Sequence, residues 1–291
     1  MNNNDQSNYR PEFSIIMANH NKADYIREAL KSVIGQTFKN WELVLIDDFS
    51  TDNSIEVIKS FLPDKRVRFL KNKSNLGYIK TLKRAIKESK AEIFGVLDSD
   101  DQLQSHALEE IINLHIENRD CGLIYSQFSY HDENMQFKEV GYCREIPKNK
   151  SDLLCDSISH FKTFKKKYYL KTSGYDKNII YAEDKDIAFK MEEVSKILFI
   201  DKILYNYRVL PKSQGNDPER SNIRYLSFLN SKINAYFRRI DSAIPNLTNG
   251  EAIKILDEMS EIYKIDKNYL KFFISKLKTV KIKLFLKGKK I

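Results

Sequence analysis

The chain has 291 residues, 42% of them hydrophobic and 12% aromatic, which suits one large domain or a domain with an appendage and excludes disorder outside the ends. No run approaches the roughly 18 apolar residues of a bilayer span, and the start MNNNDQSNYR lacks the apolar segment of a secretory leader, so a cytoplasmic protein is expected. The net charge of +9 belongs to one end, because residues 262–291 carry ten Lys against one acid, Asp266, leaving 1–261 at zero, and a balanced body argues against nucleic acid as a partner.

Residues 1–11 read as a flexible polar start. Strand and helix patterns then alternate. FSIIMA (13–18) is a short apolar run, and 22–35 repeats Tyr25, Ile26, Ala29, Leu30 and Val33 at helical spacing. WELVLI (41–46) is the second run, followed by TDNSIEVIKSFL with Ser50 or Thr51 as N-cap. VRFL (67–70), a helix over 78–89, AEIFGVL (91–97), a helix over 105–117 and CGLIYS (121–126) continue the series. Such alternation predicts a mostly parallel central sheet flanked by helices, an α/β fold. The stretch 127–182 is less regular and reads as short strands and loops with one helical piece near 151–160. A helix starting at Asp184 or Lys185 runs to Val194, and KILFI and KILYNYRVL follow as apolar runs. LPKSQGNDP (210–218) breaks the pattern, and 220–240, 250–263 and 267–287 read helical. Cys121, Cys143 and Cys155 have no CxxC spacing and suit a reducing compartment.

In open α/β sheets ligands bind beyond the carboxyl ends of the strands. Here the first strand runs into Asn19-His20-Asn21, the second into Asp47-Asp48, the fourth into Asp98-Ser99-Asp100-Asp101. One such acid is ordinarily a helix cap or a surface charge. Five on neighbouring strand ends would repel, and a divalent cation with oxygen ligands, Mg²⁺ or Mn²⁺, would relieve them and hold a diphosphate. If the backbone stays extended, Asp98 and Asp100 point to one side and Ser99 to the other. Rival motifs fail: there is no P-loop and no GxGxxG. An EF-hand starting at Asp98 would put Leu103 where Gly is needed. A phosphoacceptor receiver domain needs its acidic pair after the first strand, whereas Asp47-Asp48 follow the second. His106, His115, His131 and His160 show no metal spacing and read as surface or core residues.

SIIMANHNKADYI, QTFKNWELVLIDDFSTDNS, NLGYIKTLKRAI and FGVLDSDD, in that order, resemble the nucleotide-binding half of family 2 inverting glycosyltransferases, which have the GT-A fold. GYDKNIIYAEDKDIAFKM resembles the family's acceptor-side segment and YNYRVLPKSQG its closing loop, so the match covers about 12–215. The resemblance implies a GT-A catalytic domain over 12–215, with 216–291 a helical C-terminal region. It implies a nucleotide diphosphate sugar as donor, a UDP-sugar first, and the hydroxyl of a glycan or lipid-linked glycan as acceptor, in polysaccharide or glycoconjugate synthesis. Carried over by position, His20 lies near the base, Asp48 contacts the base, Asp98 the ribose, and Asp100 ligates the metal. Ala18, Asn21 and Ser99 complete the expected donor-binding set. Asp184 is the expected general base, with Glu183 holding it or touching the acceptor. The chemistry is then one in-line displacement at the anomeric carbon, with inversion.

Four positions depart from the family pattern. Ala18 stands where Thr or Pro is frequent, His20 replaces Tyr, Lys83 ends the NxGxxxARN pattern, and Leu210 takes the place of a His that can help with metal or diphosphate. The missing His supports an alternative, a non-catalytic nucleotide-sugar-binding partner subunit. Finally, Leu270, Phe273, Ile274, Leu277, Val280 and Leu284 fall on one face of a helix over 267–287, flanked by lysines. An apolar stripe with a lysine border suits an interfacial helix on an anionic membrane, peripheral on its inner face and close to a lipid-linked acceptor.

Overall fold

The computed structural model describes residues 10–148, 150–211 and 217–241. The helices expected over 250–263 and 267–287, and the lysine-bordered stripe, lie outside the described residues.

The first half follows the alternation. Strands β1 (Phe13–Asn19) and β2 (Trp41–Asp47) are almost wholly buried, which is why they read as continuous apolar runs rather than alternating ones. They pair in parallel with Asn19 level with Asp47, and β3 (Val67–Lys71) extends the sheet beyond β2. Helix α1 (Ile26–Ile34) buries Ile26, Ala29, Leu30 and Val33. After α2 (Ser54–Lys59), α3 (Tyr78–Glu88) buries Ile79, Leu82, Ala85 and Ile86. These are the three- and four-residue steps of one helix face. Strand β4 (Ile93–Val96) returns to the other side of β1, again parallel.

Beyond β4 the sheet is mixed. The remaining elements are β5 (Gln102–Leu103), α4 (Ala107–Glu117), β6 (Cys121–His131), β7 (Phe137–Val140), α5 (Asp152–Cys155), β8 (Lys162–Lys165), α6 (Lys166–Tyr169), α7 (Glu183–Glu192), β9 (Lys196–Arg208) and α8 (Ser221–Asp241). The nine described strands run β3-β2-β1-β4-β8-β6-β9-β5, with β7 on β6. Strand β8 lies antiparallel between β4 and β6, while β6 and β9 run parallel. The parallel pattern expected from the alternation thus holds for β1 to β4, and antiparallel pairs enter with the irregular middle of the chain. The two apolar runs after α7 are a single strand, β9, whose register against β6 shifts within Ser126–Phe128.

Helix α7 begins at Glu183, with Ala182 as its N-cap and no capping side chain. Asp184 therefore lies in the first turn rather than capping the helix. Helix α8 clamps α7 from outside: Arg238 bonds Glu193 at 2.8 Å and Asp186 at 3.3 Å, and Arg239 bonds Glu192 at 2.7 Å. Asp186 is fully buried and also holds Lys190 at 2.5 Å, so the helix can carry these charges inside because each is paired. Among the described residues no helix is long and apolar enough to cross a membrane.

Candidate active site

Strand order reverses between β1 and β4, and the carboxyl ends of β1, β2 and β4 open there onto a cleft of about 510 Å³. The cleft brings together Ala18, His20, Asp48, Asp98, Ser99 and Asp100 from the first hundred residues with Glu183 and Asp184 from α7. Asn21 is not among its lining residues.

The β1 and β2 ends are tied to each other before they meet any ligand. Asp47 is buried and serves the turn after β2, accepting from Asn19 Nδ2 at 2.8 Å, Ser50 N at 2.9 Å and Ser50 Oγ at 2.5 Å. Ser50 is thus a turn residue and not the expected helix cap; α2 begins only at Ser54. Asn21 adopts φ 52 and takes the Thr51 N–H on its Oδ1 at 2.8 Å. Its side chain closes the loop between the β1 and β2 ends. Asp48 accepts from Asn72 Nδ2 and from the backbone N–H groups of Leu76 and Gly77, at 2.7, 2.8 and 2.8 Å. It lines the cleft while holding the 72–77 loop in place. Gly77 sits at φ 85, a left-handed value that favours glycine, which turns its N–H onto Asp48. His20 lies against this platform, with Nδ1 2.9 Å from the Asp48 carbonyl and Nε2 3.2 Å from Asn75 Nδ2. The carbonyl can only accept, so Nδ1 carries the proton.

The segment 98–101 is a turn rather than extended strand, closed by Asp101 N on Asp98 O at 3.2 Å. Strand alternation therefore does not decide where its acids point; their partners do. Asp98 accepts from Tyr78 OH at 2.8 Å, and burial, then the Asp100 charge, lifts its carboxyl to about 6. Asp101 is buried away from solvent, accepting from Tyr205 OH at 2.6 Å and Arg208 N at 2.7 Å. Burial, then Asp100, raises its pKa well above the usual range. Arg208 also donates from Nε to Asp100 O at 2.7 Å and pairs with Glu28. Strand β9 thereby staples the acidic turn from the far side of the sheet. Asp100 carries Lys22 Nζ at 2.5 Å. Of the five acids expected to crowd one ligand, Asp47 and Asp101 are consumed inside the protein.

Opposite lies α7. Lys162, on β8, reaches Asp184 Oδ2 at 3.4 Å. Burial would raise the Asp184 pKa, but the positive charges of Lys162 and Lys185 bring it below its ordinary value. Its side chain is 37% exposed, towards the cleft. Glu183 behaves in the opposite way: burial, then the Asp184 charge, raises it to about 8. Its Oε2 is buried without a hydrogen-bond partner among the described residues. His160 lines the same end, its ring stacked on Tyr205 at 4.7 Å and Tyr207 at 5.1 Å. Burial, then Lys162, lowers it to about 3, so the imidazole is neutral. Neither ring nitrogen has a protein partner among the described residues. Lys22, Tyr78, His160, Lys162 and Arg208 were not foreseen as site residues. In the sequence His160 shows no metal spacing, and nothing else there separates it from a surface or core histidine.

A divalent cation that works with a diphosphate takes one or two carboxylates from the protein and its remaining ligands from phosphate and water. Asp100, with Asp98 beside it, offers that many, and the Lys22 ammonium already marks the spot as one that holds a cation. Among the described residues no three His, Cys, Asp or Glu side chains converge as a closed cage. Leu210 is buried and apolar and adds no ligand. The donor set fits a cation site that the substrate completes.

Residues 14–172 match the model of glycosyl transferase family 2. The chain is 30% identical over 203 residues to a chondroitin synthase of Pasteurella multocida, covering 69% of this chain and 21% of that protein. It thus spans about a fifth of that synthase. Among solved structures, S. aureus TarS 1–349 in complex with UDP-GlcNAc superposes with a TM-score of 0.62 at 18% identity, over 88% of this chain and 74% of the other. Mannosyltransferase PcManGT from Pyrobaculum calidifontis, in complex with GDP-Man and Mn²⁺, does so with a TM-score of 0.56 at 14% identity, over 96% of this chain and 87% of the other. At these identities the structures establish the fold, and it is the GT-A type.

Proposed function

The chain belongs to glycosyl transferase family 2, and from that premise we propose that it moves a sugar from a UDP-sugar to the hydroxyl of a glycan acceptor, with inversion. The observation that carries this is one cleft holding Asp98 and Asp100 from the β4 end and Glu183 and Asp184 from α7. Charge for a leaving diphosphate and a base for an incoming hydroxyl then face each other across the bound sugar.

The donor lies along the strand ends, its base against His20, Asp48 and Ala18, its ribose at Asp98. Asp100, with Asp98 beside it, would hold a divalent cation, Mn²⁺ or Mg²⁺. When bound, the cation neutralises charge on the departing diphosphate. Asp184 takes the proton of the acceptor hydroxyl as oxygen attacks the anomeric carbon and the bond to the diphosphate breaks. Lys162 keeps that carboxylate ionised and ready to accept. Glu183 carries its own proton at neutral pH, so it donates a hydrogen bond to a sugar hydroxyl and does not compete as base. Neutral His160, whose ring lines the cleft, holds the acceptor beside Asp184.

The name of one relative, a chondroitin synthase, makes chondroitin oligosaccharides the first acceptors to try. The test is a screen of UDP- and GDP-sugars with glycan acceptors, read by nucleoside diphosphate release with and without Mn²⁺. Release that depends on both donor and acceptor is expected. Nucleotide-sugar binding without turnover of any donor would replace this reading with a non-catalytic partner subunit.

A further inference from the structure

Asp100 is the acid of the 98–101 turn whose carboxylate is paired with a lysine ammonium. Asp98 is bonded to Tyr78, and Asp101 to Tyr205 and the Arg208 backbone. The Lys22 ammonium lies 2.5 Å from Asp100 Oδ2, in a pair whose side chains are 28% and 17% exposed. Both partners sit on fixed backbone. The Lys22 N–H donates to Ser54 Oγ at 3.0 Å, its neighbour Ala23 N to Asp52 Oδ2 at 2.9 Å, and Asn21 N to Ser50 Oγ at 2.9 Å. The Asp100 carbonyl takes Arg208 Nε at 2.7 Å. Only the Lys22 stem is left to move, and both Lys22 and Asp100 line the cleft.

We propose that Lys22 is a tethered counter-cation that blocks Asp100 against divalent metal until a nucleoside diphosphate enters, and then transfers to the phosphates. The inference rests on reading the cleft as a nucleotide-sugar site. One carboxylate oxygen cannot serve an ammonium and a divalent cation together without setting like charges against each other. A diphosphate removes that conflict. It brings negative oxygens for the ammonium, and it supplies the ligands that Asp100 alone cannot give a metal. Metal and nucleotide then bind as a coupled pair, and the coupling is reciprocal.

The probes are Mn²⁺, followed by the electron paramagnetic resonance of the free ion, and UDP. Lys22→Met removes the charge and keeps an apolar stem of similar length; Lys22→Arg keeps the charge. Without UDP, Lys22→Met is expected to bind Mn²⁺ about tenfold more tightly than the native chain, midway between the effects of an exposed and a buried charge pair. Lys22→Arg is expected to match the native chain, and adding Asp100→Asn to Lys22→Met to remove the gain. UDP should raise Mn²⁺ affinity more in the native chain than in Lys22→Met. Equal Mn²⁺ affinity of the native and Lys22→Met chains without UDP overturns the proposal, whatever UDP does. If the Lys22→Met gain is present and UDP has no effect on either chain, the counter-cation stands and the nucleotide-sugar reading fails.

Discussion

Replacing Glu183 by Gln separates its proton from its shape. Glu183 lines the cleft beside Asp184, and burial, then the Asp184 charge, moves its carboxyl from 4.5 to about 8. A group raised on folding stabilises the fold fully below its unfolded pKa, and that contribution is lost as pH climbs through the folded value. The window here runs from about pH 4.5 to about pH 8, with a slope of up to about 1.4 kcal/mol per pH. Between about pH 6 and 8 the native chain should therefore lose up to about 3 kcal/mol that Glu183→Gln keeps. Water in the cleft screens part of this, so the figure is a ceiling. At about 2–4 °C per kcal/mol for a domain of this size, the two melting temperatures should diverge by up to about 10 °C. The assay is thermal unfolding of both proteins from pH 6 to 9 in matched ionic strength. Because Gln keeps a donor where the protonated acid has one, transfer at pH 7 should stay within about tenfold of native. Parallel melting curves across the range would show that Glu183 is already ionised at pH 6, and its role as a neutral donor would fall.

Asp184→Asn keeps the shape and removes the base: transfer should fall at least about 10²-fold while UDP binding survives, and near-native transfer rejects Asp184 as base. Asp100→Ala should abolish Mn²⁺-dependent donor binding, as should chelator on the native chain; full activity in excess chelator removes the metal from the mechanism. His160→Phe keeps the stack on Tyr205 and Tyr207 and removes the nitrogens, so KM for the acceptor should rise about 2- to 10-fold with donor binding unchanged; an unchanged acceptor KM makes the ring a packing element only. For the lysine-rich end, sedimentation with anionic and neutral vesicles compares the full chain with one ending at Asp266: salt-sensitive anionic binding that disappears on truncation is expected, and equal pelleting of both rejects a membrane role.

The fold was legible where burial is continuous. Phe13–Asn19 and Trp41–Asp47 are covered on both faces, so every residue had to be apolar or paired, and the runs stood out. Strand β8 (Lys162–Lys165) gave no such signal, because it is KTFK: its lysines are buried through hydrogen bonds to Ser159 O and Asn118 O. A strand whose charges are satisfied by backbone carbonyls looks like a loop in sequence. The antiparallel step it inserts between β4 and β6 was hidden for that reason.

The site was legible by residue type and illegible by partnership. Acids at strand ends are visible as letters, but which of them remain for a ligand depends on donors far away in the chain. Asp101 is taken by Tyr205 and Arg208, over a hundred residues on, and Asp98 by Tyr78. The same logic sets Asp184 apart from Glu183. Both are acids of one first turn, where the helix N-terminus favours either as an anion. Lys162 lies 3.4 Å from Asp184 Oδ2, while Glu183 Oε2 has no hydrogen-bond partner among the described residues. The ammonium groups of Lys162 and Lys185 therefore keep one carboxyl ionised and leave its neighbour, facing that negative charge, to keep a proton. Two adjacent acids with pKa values driven apart suit the two tasks proposed for them, base and hydrogen-bond donor, and it is β8 that brings the lysine in contact with Asp184.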